Sequence, residues 1–182
     1  VIRALPGRLR ERADVMAHEA HLLGRLGHHD DEARRLHQLI ARQPGVPSLQ
    51  LSLAHAMKRL DRRDEAIAAA RAALAVRPDY GKAWWMLADL KTYQFDASEV
   101  QAMQSALVDA ESAVDRLHLE VALGRAFEQR GEPERAFNHY AAGNAAAAAT
   151  APPDAMRRSS KGALGVVARS RKVSSSTCCQ GM

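Results

Sequence analysis

The sequence has few aromatic residues, so its apolar content comes from other side chains. Hydrophobic residues make up 47% of the 182 residues, whereas Phe, Trp and Tyr together make up only 4%. Most of the apolar residues are Ala and Leu, which favour helices, and the β-branched and aromatic residues that favour strands are scarce. This imbalance argues against a sheet-based fold and predicts an all-α chain.

Long hydrophobic runs are also missing. No uncharged apolar stretch reaches the roughly 18 residues of a membrane-spanning helix, so we expect no membrane span. Residues 1–6 do not place a basic segment before an apolar run, as a secretory signal would. The sequence starts without Met, and we therefore expect it to begin inside a longer chain.

Cysteine is nearly absent. The only two, Cys178 and Cys179, are adjacent, so they cannot staple distant elements, and zinc would need ligands that the surrounding residues do not offer. This usage predicts a reducing, cytoplasmic setting.

The net charge of +5 arises at the C-terminal end. Residues 151–182 carry six basic residues against Asp154, which leaves equal numbers of acidic and basic residues in 1–150. A basic tail can bind nucleic acid by counterion release, but this one has no aromatic residue for base stacking, so we do not expect nucleic acid as a partner. Its many serines and the lack of a helical period predict disorder over 151–182.

Internal repetition is the strongest pattern, at a spacing near the ~34 residues of tetratricopeptide units. Units that start at Pro47, Gly81 and Leu117 repeat small and large residues at matching offsets, and an earlier copy occupies residues 21–44. Such units stack because each helix pair leaves an apolar face for the next pair to cover. We therefore predict a right-handed α-solenoid of about four TPR-like antiparallel helix pairs over residues 1–150.

Residue size predicts how the helices meet. Small residues are expected where two paired helices cross, and large residues in the gaps between pairs. The small set is Ala54, Ala66, Ala88, Gly124 and Ala136, and the large set is Trp84, Phe127 and Tyr140. Gly27 and Gly131 are expected to end the first helix of their pairs in a left-handed conformation.

The third unit departs from this pattern. Residues 92–95, Thr-Tyr-Gln-Phe, replace the usual turn between the two helices of a pair. Asp96 or Ser98 is expected to cap the following helix, whose apolar side chains recur at helical spacing.

The segments "AWWMLADLKTYQFDASEVQAMQSAL" and "DRLHLEVALGRAFEQRGEPERAFNHYAAGNAAA" resemble a bacterial family in which tetratricopeptide repeats precede a C-terminal sulfotransferase domain. The resemblance covers roughly residues 47–150. It implies a missing domain beyond Asn144 that uses 3′-phosphoadenylyl sulfate. The phosphate-binding loop of such a domain needs backbone amides at a helix start, and residues 169–175 contain no glycine to form one. We therefore predict no catalytic, cofactor-binding or metal-binding residue in this chain.

Three functions stay open. The chain is a protein-interaction scaffold for the missing sulfotransferase domain, a protein that counts as a sulfotransferase by descent, or a free-standing adaptor for a chaperone or secretion partner. The tail is either a genuine linker, a truncated gene end or an out-of-frame reading, because the composition changes abruptly after about Arg158.

A partner peptide is expected in the concave groove formed by the first helices of the pairs. The residues predicted to line it are Ser48, Leu51, His55, Lys58, Lys82, Trp85, Asp89, Tyr93, His118, Val121, Arg125 and Glu128. The alternative is that these positions are ordinary solvated helix faces. Trp84 is expected in the core, and Trp85, about 100° away around the helix, is expected to be partly exposed.

The histidines offer two weaker hypotheses. His28, His29 and Asp31 could chelate a metal, although a polar turn of this composition is more simply a solvated one. His139 has no cysteine or carboxylate at a spacing typical of a catalytic triad, so we expect no nucleophilic centre there.

Overall fold

The computed structural model describes residues 12–150, and every regular element within them is an α-helix. The helices are α1 (Ala13–Arg25), α2 (His29–Arg42), α3 (Pro47–Arg59), α4 (Arg63–Val76), α5 (Gly81–Asp89), α6 (Ala97–Asp109), α7 (Ala113–Gln129) and α8 (Pro133–Thr150). Each of α1 to α4 packs on the helix that follows it. The predicted all-α stack of helix pairs is confirmed, and the tail predicted to be disordered lies outside the described residues.

The predicted helix starts are largely correct. α3 begins at Pro47, which suits the first helical position because that residue needs no hydrogen-bond donor, and α5 begins at Gly81. α7 starts at Ala113, a turn before the predicted Leu117, because the Ser112 hydroxyl caps it by accepting a hydrogen bond from the Asp115 amide at 3.3 Å. None of the helices in residues 12–150 is long and apolar enough to cross a membrane.

Small residues lie at the helix crossings, as predicted. Ala54, Ala66, Ala88 and Ala136 are all buried. The large residues Trp84 and Phe127 are buried between them. Because each crossing accepts only a methyl group or a hydrogen, the spacing of these residues sets where one helix can approach the next.

Three inter-helix turns share a left-handed residue. Gly27 has φ 81° and Gly131 has φ 72°, which confirms the predicted role of both. Asp61, one repeat length after Gly27, has φ 57° and closes the turn between α3 and α4. Aspartate is one of the few residues other than glycine that tolerate this conformation, so the sequence did not reveal the third turn.

The third pair is irregular. α5 packs chiefly on α4 and α7, and residues 90–96 form no helix or strand between α5 and α6. The Tyr93 and Phe95 rings meet edge to face at 5.0 Å and are buried. Gln129 of α7 holds this segment: its Nε2 donates to the Tyr93 carbonyl at 2.7 Å, and its Oε1 accepts from the Phe95 amide at 3.2 Å.

The cap of α6 is Asp96. Its carboxylate accepts a hydrogen bond from the Glu99 amide at 2.8 Å, and the Glu99 carboxylate accepts one from the Asp96 amide at 3.1 Å. This reciprocal capping box satisfies two amides that the first helical turn leaves without partners. Of the two predicted caps, Asp96 is correct, and Ser98 instead donates its hydroxyl to the Asp96 carboxylate.

Candidate functional site

The exposed stripes of α3, α5 and α7 carry most of the residues predicted to line the groove. On α5 the stripe is Lys82, Trp85 and Asp89, while the intervening residues from Ala83 to Ala88 are otherwise buried. On α7 the corresponding residues are His118, Val121, Arg125 and Glu128, and on α3 they are Ser48, His55 and Lys58. The helical period thus places these side chains outside the core.

Trp85 is the large apolar side chain of these stripes. It is half-buried, and its ring meets the His118 ring of α7 edge to face at 5.8 Å. The His118 ring is in turn oriented by a 2.6 Å hydrogen bond from Nδ1 to the Val114 carbonyl. Trp84, in contrast, is buried as predicted, and its Nε1 donates to the Pro78 carbonyl at 2.9 Å.

The cations of the stripes are mostly paired. Lys58 forms an ion pair with Asp89, which links α3 to α5. Arg125 pairs with Glu128 at 2.7 Å, and the hydrogen bond from Arg125, followed by one from the Tyr140 hydroxyl, lowers the pKa of Glu128. Lys82 is exposed and has no ion pair within residues 12–150. The stripes of α5 and α7 therefore present balanced charge.

Two residues predicted for the groove are buried. Tyr93 is only 7% exposed because residues 90–96 fold back toward α4 and α6, where its hydroxyl donates to Glu99 and accepts from Arg71 at 2.9 Å. Burial and the bond to Glu99 raise the pKa of Tyr93 to about 12. Leu51 is in the core, and its neighbour Ser52 occupies the outward position. Both predictions of exposure were wrong.

His29, His118 and His139 have structural partners. In residues 12–150 no three His, Cys, Asp or Glu side chains are grouped to hold a metal ion. His139 does have a carboxylate partner, contrary to the sequence expectation: its Nδ1 lies 2.7 Å from Glu120 Oε2. Its ring stacks on Phe127 at 5.2 Å, and no described hydroxyl bonds to it. This pair therefore joins α7 to α8.

A polar pocket between α1 and α3 was missed at the sequence level. Its volume is about 300 Å³, and its lining residues are His21, Gly24, Arg25, Glu32, Ser52, His55 and Arg59. Glu32 reaches it from α2, is only 6% exposed, and accepts two hydrogen bonds from Arg59 Nη2 at 2.8 and 2.7 Å. Burial and the nearby cations Arg59 and Lys58 lower the pKa of His55.

The sequence signal for this pocket is that two positions depart from the repeat pattern. Glu32 occupies the register position of Ala66 and Ala136, where the other crossings require a small residue. Gly24 compensates on the facing helix: a Cβ there would stand 2.5 Å from Glu32 Oε1. A charged residue at a small-residue position, with glycine opposite, therefore marks a buried carboxylate.

Comparisons with known proteins agree with this architecture. A tetratricopeptide repeat family model matches residues 47–90, which span α3 to α5. The fold is a tetratricopeptide-type solenoid. No curated protein matches the chain.

Solved structures of MamA share this solenoid fold. One crystal structure of MamA is 16% identical with a TM-score of 0.59, covering 80% of this chain and 85% of that chain. A crystal structure of MamA protein is 15% identical with a TM-score of 0.56, covering 74% and 73%. A MamA MSR-1 C2 structure is 16% identical with a TM-score of 0.54, covering 82% and 85%. At these identities the likeness concerns the fold alone.

Proposed function

We propose that this chain is a protein-interaction scaffold that holds an extended peptide along the outward stripes of α3, α5 and α7. The observation that carries the proposal is Trp85, a large apolar side chain left partly exposed on a helix whose other large apolar side chains are buried. Aromatic side chains that are rigid and partly exposed are common anchors in protein interfaces. The tetratricopeptide repeats support the same class of function, since these modules generally bind proteins.

The chemistry around Trp85 indicates the kind of peptide that would fit. The ring of His118 stands beside it at 5.8 Å, and Lys82 supplies one unpaired cation on the same stripe. The ion pairs Lys58–Asp89 and Arg125–Glu128 leave little other net charge. We therefore expect an apolar or aromatic peptide residue against Trp85.

Binding by the groove can be tested with selected peptides. Peptides would be selected from a displayed random library on the full chain, and their affinities measured by fluorescence polarisation. We expect Trp85→Ala to weaken binding by tenfold or more, because loss of an interface anchor costs about 2 kcal/mol. Val108→Ser, which changes a residue 81% exposed on α6, is the matched control and should bind normally. Equal affinity of both variants, with folding checked by circular dichroism, would rule out this groove.

We further propose that the scaffold serves a sulfotransferase domain in a longer cytoplasmic parent protein. The basis is the resemblance of residues 47–150 to tetratricopeptide regions that precede such domains. These 182 residues alone should not transfer sulfate from 3′-phosphoadenylyl sulfate. The nucleotide sequence downstream of residue 158, read in all three frames, tests the link: a sulfotransferase-like frame supports it, and its absence favours the free-standing adaptor.

A further inference from the structure

We infer that the pocket between α1 and α3 binds an anionic group, a carboxylate or a phosphate, carried by the partner peptide. The inference rests on the proposed scaffold function and adds the chemical class of one recognised residue. It stands on the shape of the pocket, on two guanidinium groups at its wall, and on the buried carboxylate that holds one of them.

Two guanidinium groups have free donors at this pocket. Arg59 uses Nη2 for Glu32 and Nε for His29, and its Nη1 bonds to no other residue that the structure describes. Arg25 is exposed, and its guanidinium forms neither an ion pair nor a hydrogen bond within residues 12–150. Guanidinium groups present paired donors that match carboxylate and phosphate oxygens.

The buried carboxylate is better explained by positioning than by stability. This ion pair contributes little net stability, because Arg59 stays 40% exposed and the desolvation of Glu32 offsets the attraction between the two charges. The other regular pairs place Ala66 and Ala136 at the position of Glu32 and need no such pair. Glu32 holds the guanidinium of Arg59 through Nη2, and together with the contact from Arg59 Nε to His29 at 3.1 Å this fixes its orientation. Glu32 is therefore a positioning residue for Arg59.

The charge balance favours an anion. Glu32 neutralises Arg59, so Arg25 leaves a net positive charge on the pocket, and His21, Ser52 and His55 add further polar groups. The lowered pKa of His55 reflects burial first and then the positive field of Arg59 and Lys58. An anion bound between these side chains would offset that field.

The test uses inorganic phosphate and acetate as probes. The full chain, labelled for NMR, would be titrated with each anion at constant ionic strength while the His55 ring and Arg59 Nε–H signals are followed. We expect saturable shifts, with dissociation constants raised about five- to tenfold by Arg25→Gln and His55→Gln, as expected for the loss of a hydrogen bond to a charged group. Arg25 is exposed, so its replacement should leave the fold intact, and Arg130→Gln on the turn after α7 is the matched control.

Each outcome decides the inference. Saturation by phosphate alone supports it with a phosphorylated side chain as the source, and saturation by acetate as well supports it with a carboxylate. Shifts that do not saturate with either anion, or that weaken equally in Arg130→Gln, overturn it. If neither anion binds but peptide binding still depends on Trp85, the pocket inference fails and the scaffold function stands. If an anion binds but Trp85→Ala does not weaken peptide binding, the pocket inference stands and the proposed groove fails.

Discussion

Gly124 of α7 lies against the ring of Tyr140 of α8 so closely that a Cβ at Gly124 would stand 2.6 Å from Tyr140 Cε1. The two helices of the last pair can approach this far only because position 124 carries no side chain. The same rule holds at Gly81, where a Cβ would stand 2.2 Å from the Asp115 carbonyl oxygen. Close contacts of this kind fix the spacing of the helices more strictly than hydrophobic character alone.

Gly124→Ala should destabilise the protein even though alanine is the better helix former. The gain in helix propensity is about 1 kcal/mol, whereas forcing a methyl group into a filled site costs about 1–3 kcal/mol. The free energy of unfolding in urea measures the balance. In the double variant Gly124→Ala/Tyr140→Ala, the loss of unfolding free energy should be smaller than the sum of the two single losses by at least about 1 kcal/mol, because the two sites are coupled. Gly45→Ala, where a Cβ would meet nothing within 4 Å, is the control and should not be destabilising.

Asp61→Gly should stabilise the protein by about 0.5–1 kcal/mol. A left-handed backbone costs a residue with a Cβ roughly 1–2 kcal/mol, part of which aspartate recovers and glycine avoids. The exposed contact from Arg63 to Asp61 that would be lost contributes little. Gly131→Ala is the converse change and should destabilise. A lower melting temperature for Asp61→Gly would contradict this account of the turn.

Asp96→Ala should cost about 0.5–2 kcal/mol of stability, the usual effect of losing a helix cap. Asp96→Ser keeps an oxygen that can accept from the Glu99 amide and should stay close to the native protein. Ser98→Ala, which removes only the exposed bond to the Asp96 carboxylate, should change stability by less than about 0.5 kcal/mol. Chemical denaturation of the three variants checks this order, and an equal loss in all three would refute the capping box.

Tyrosine ionisation should be delayed in alkaline solution. Burial, as the largest cause, raises the pKa of Tyr80, Tyr93 and Tyr140, and that of Tyr93 to about 12. Because the folded-state pKa of Tyr93 lies above the unfolded value of about 10, its contribution to stability is complete below pH ~10 and is lost as the pH rises toward about 12. Ultraviolet titration should show less than half of the phenolate at pH ~10, the ordinary pKa of tyrosine, and Tyr93→Phe should remove the last step.

The repeat pattern predicted the fold because the size of the residues at the helix crossings determines how closely the helices pack. Ala54, Ala66 and Gly124 had to be small for their helices to cross, and their spacing revealed the register. Glu32 was missed although it stands at a small-residue position, because its burial also depends on Gly24 and Arg59, which become its neighbours only after folding. Tyr93 was misplaced for a related reason: the helical period used to assign it stops at residue 90.

The stripes of α3, α5 and α7 were predictable as exposed faces, but their partners were not. Lys58 and Asp89 are 31 residues apart, and their pairing follows from how α3 packs against α5. The carboxylate beside His139 escaped notice because Glu120 lies on the preceding helix. Side-chain contacts between helices are therefore the feature that is hardest to predict from a repeat sequence.

Because the turns at Gly27 and Asp61 are equivalent, one whole repeat can in principle be removed between them. Deleting residues 28–61 would connect α1 directly to the segment before α4 without changing the phase of the repeat. Glu32 and Arg59 would leave together, so neither would be left without the other, and Gly24 would face Ala66 in place of a carboxylate. A chain of this design can lengthen or shorten by whole units, and losing this one would remove Glu32, Ser52, His55 and Arg59 from the pocket together while Arg25 stays.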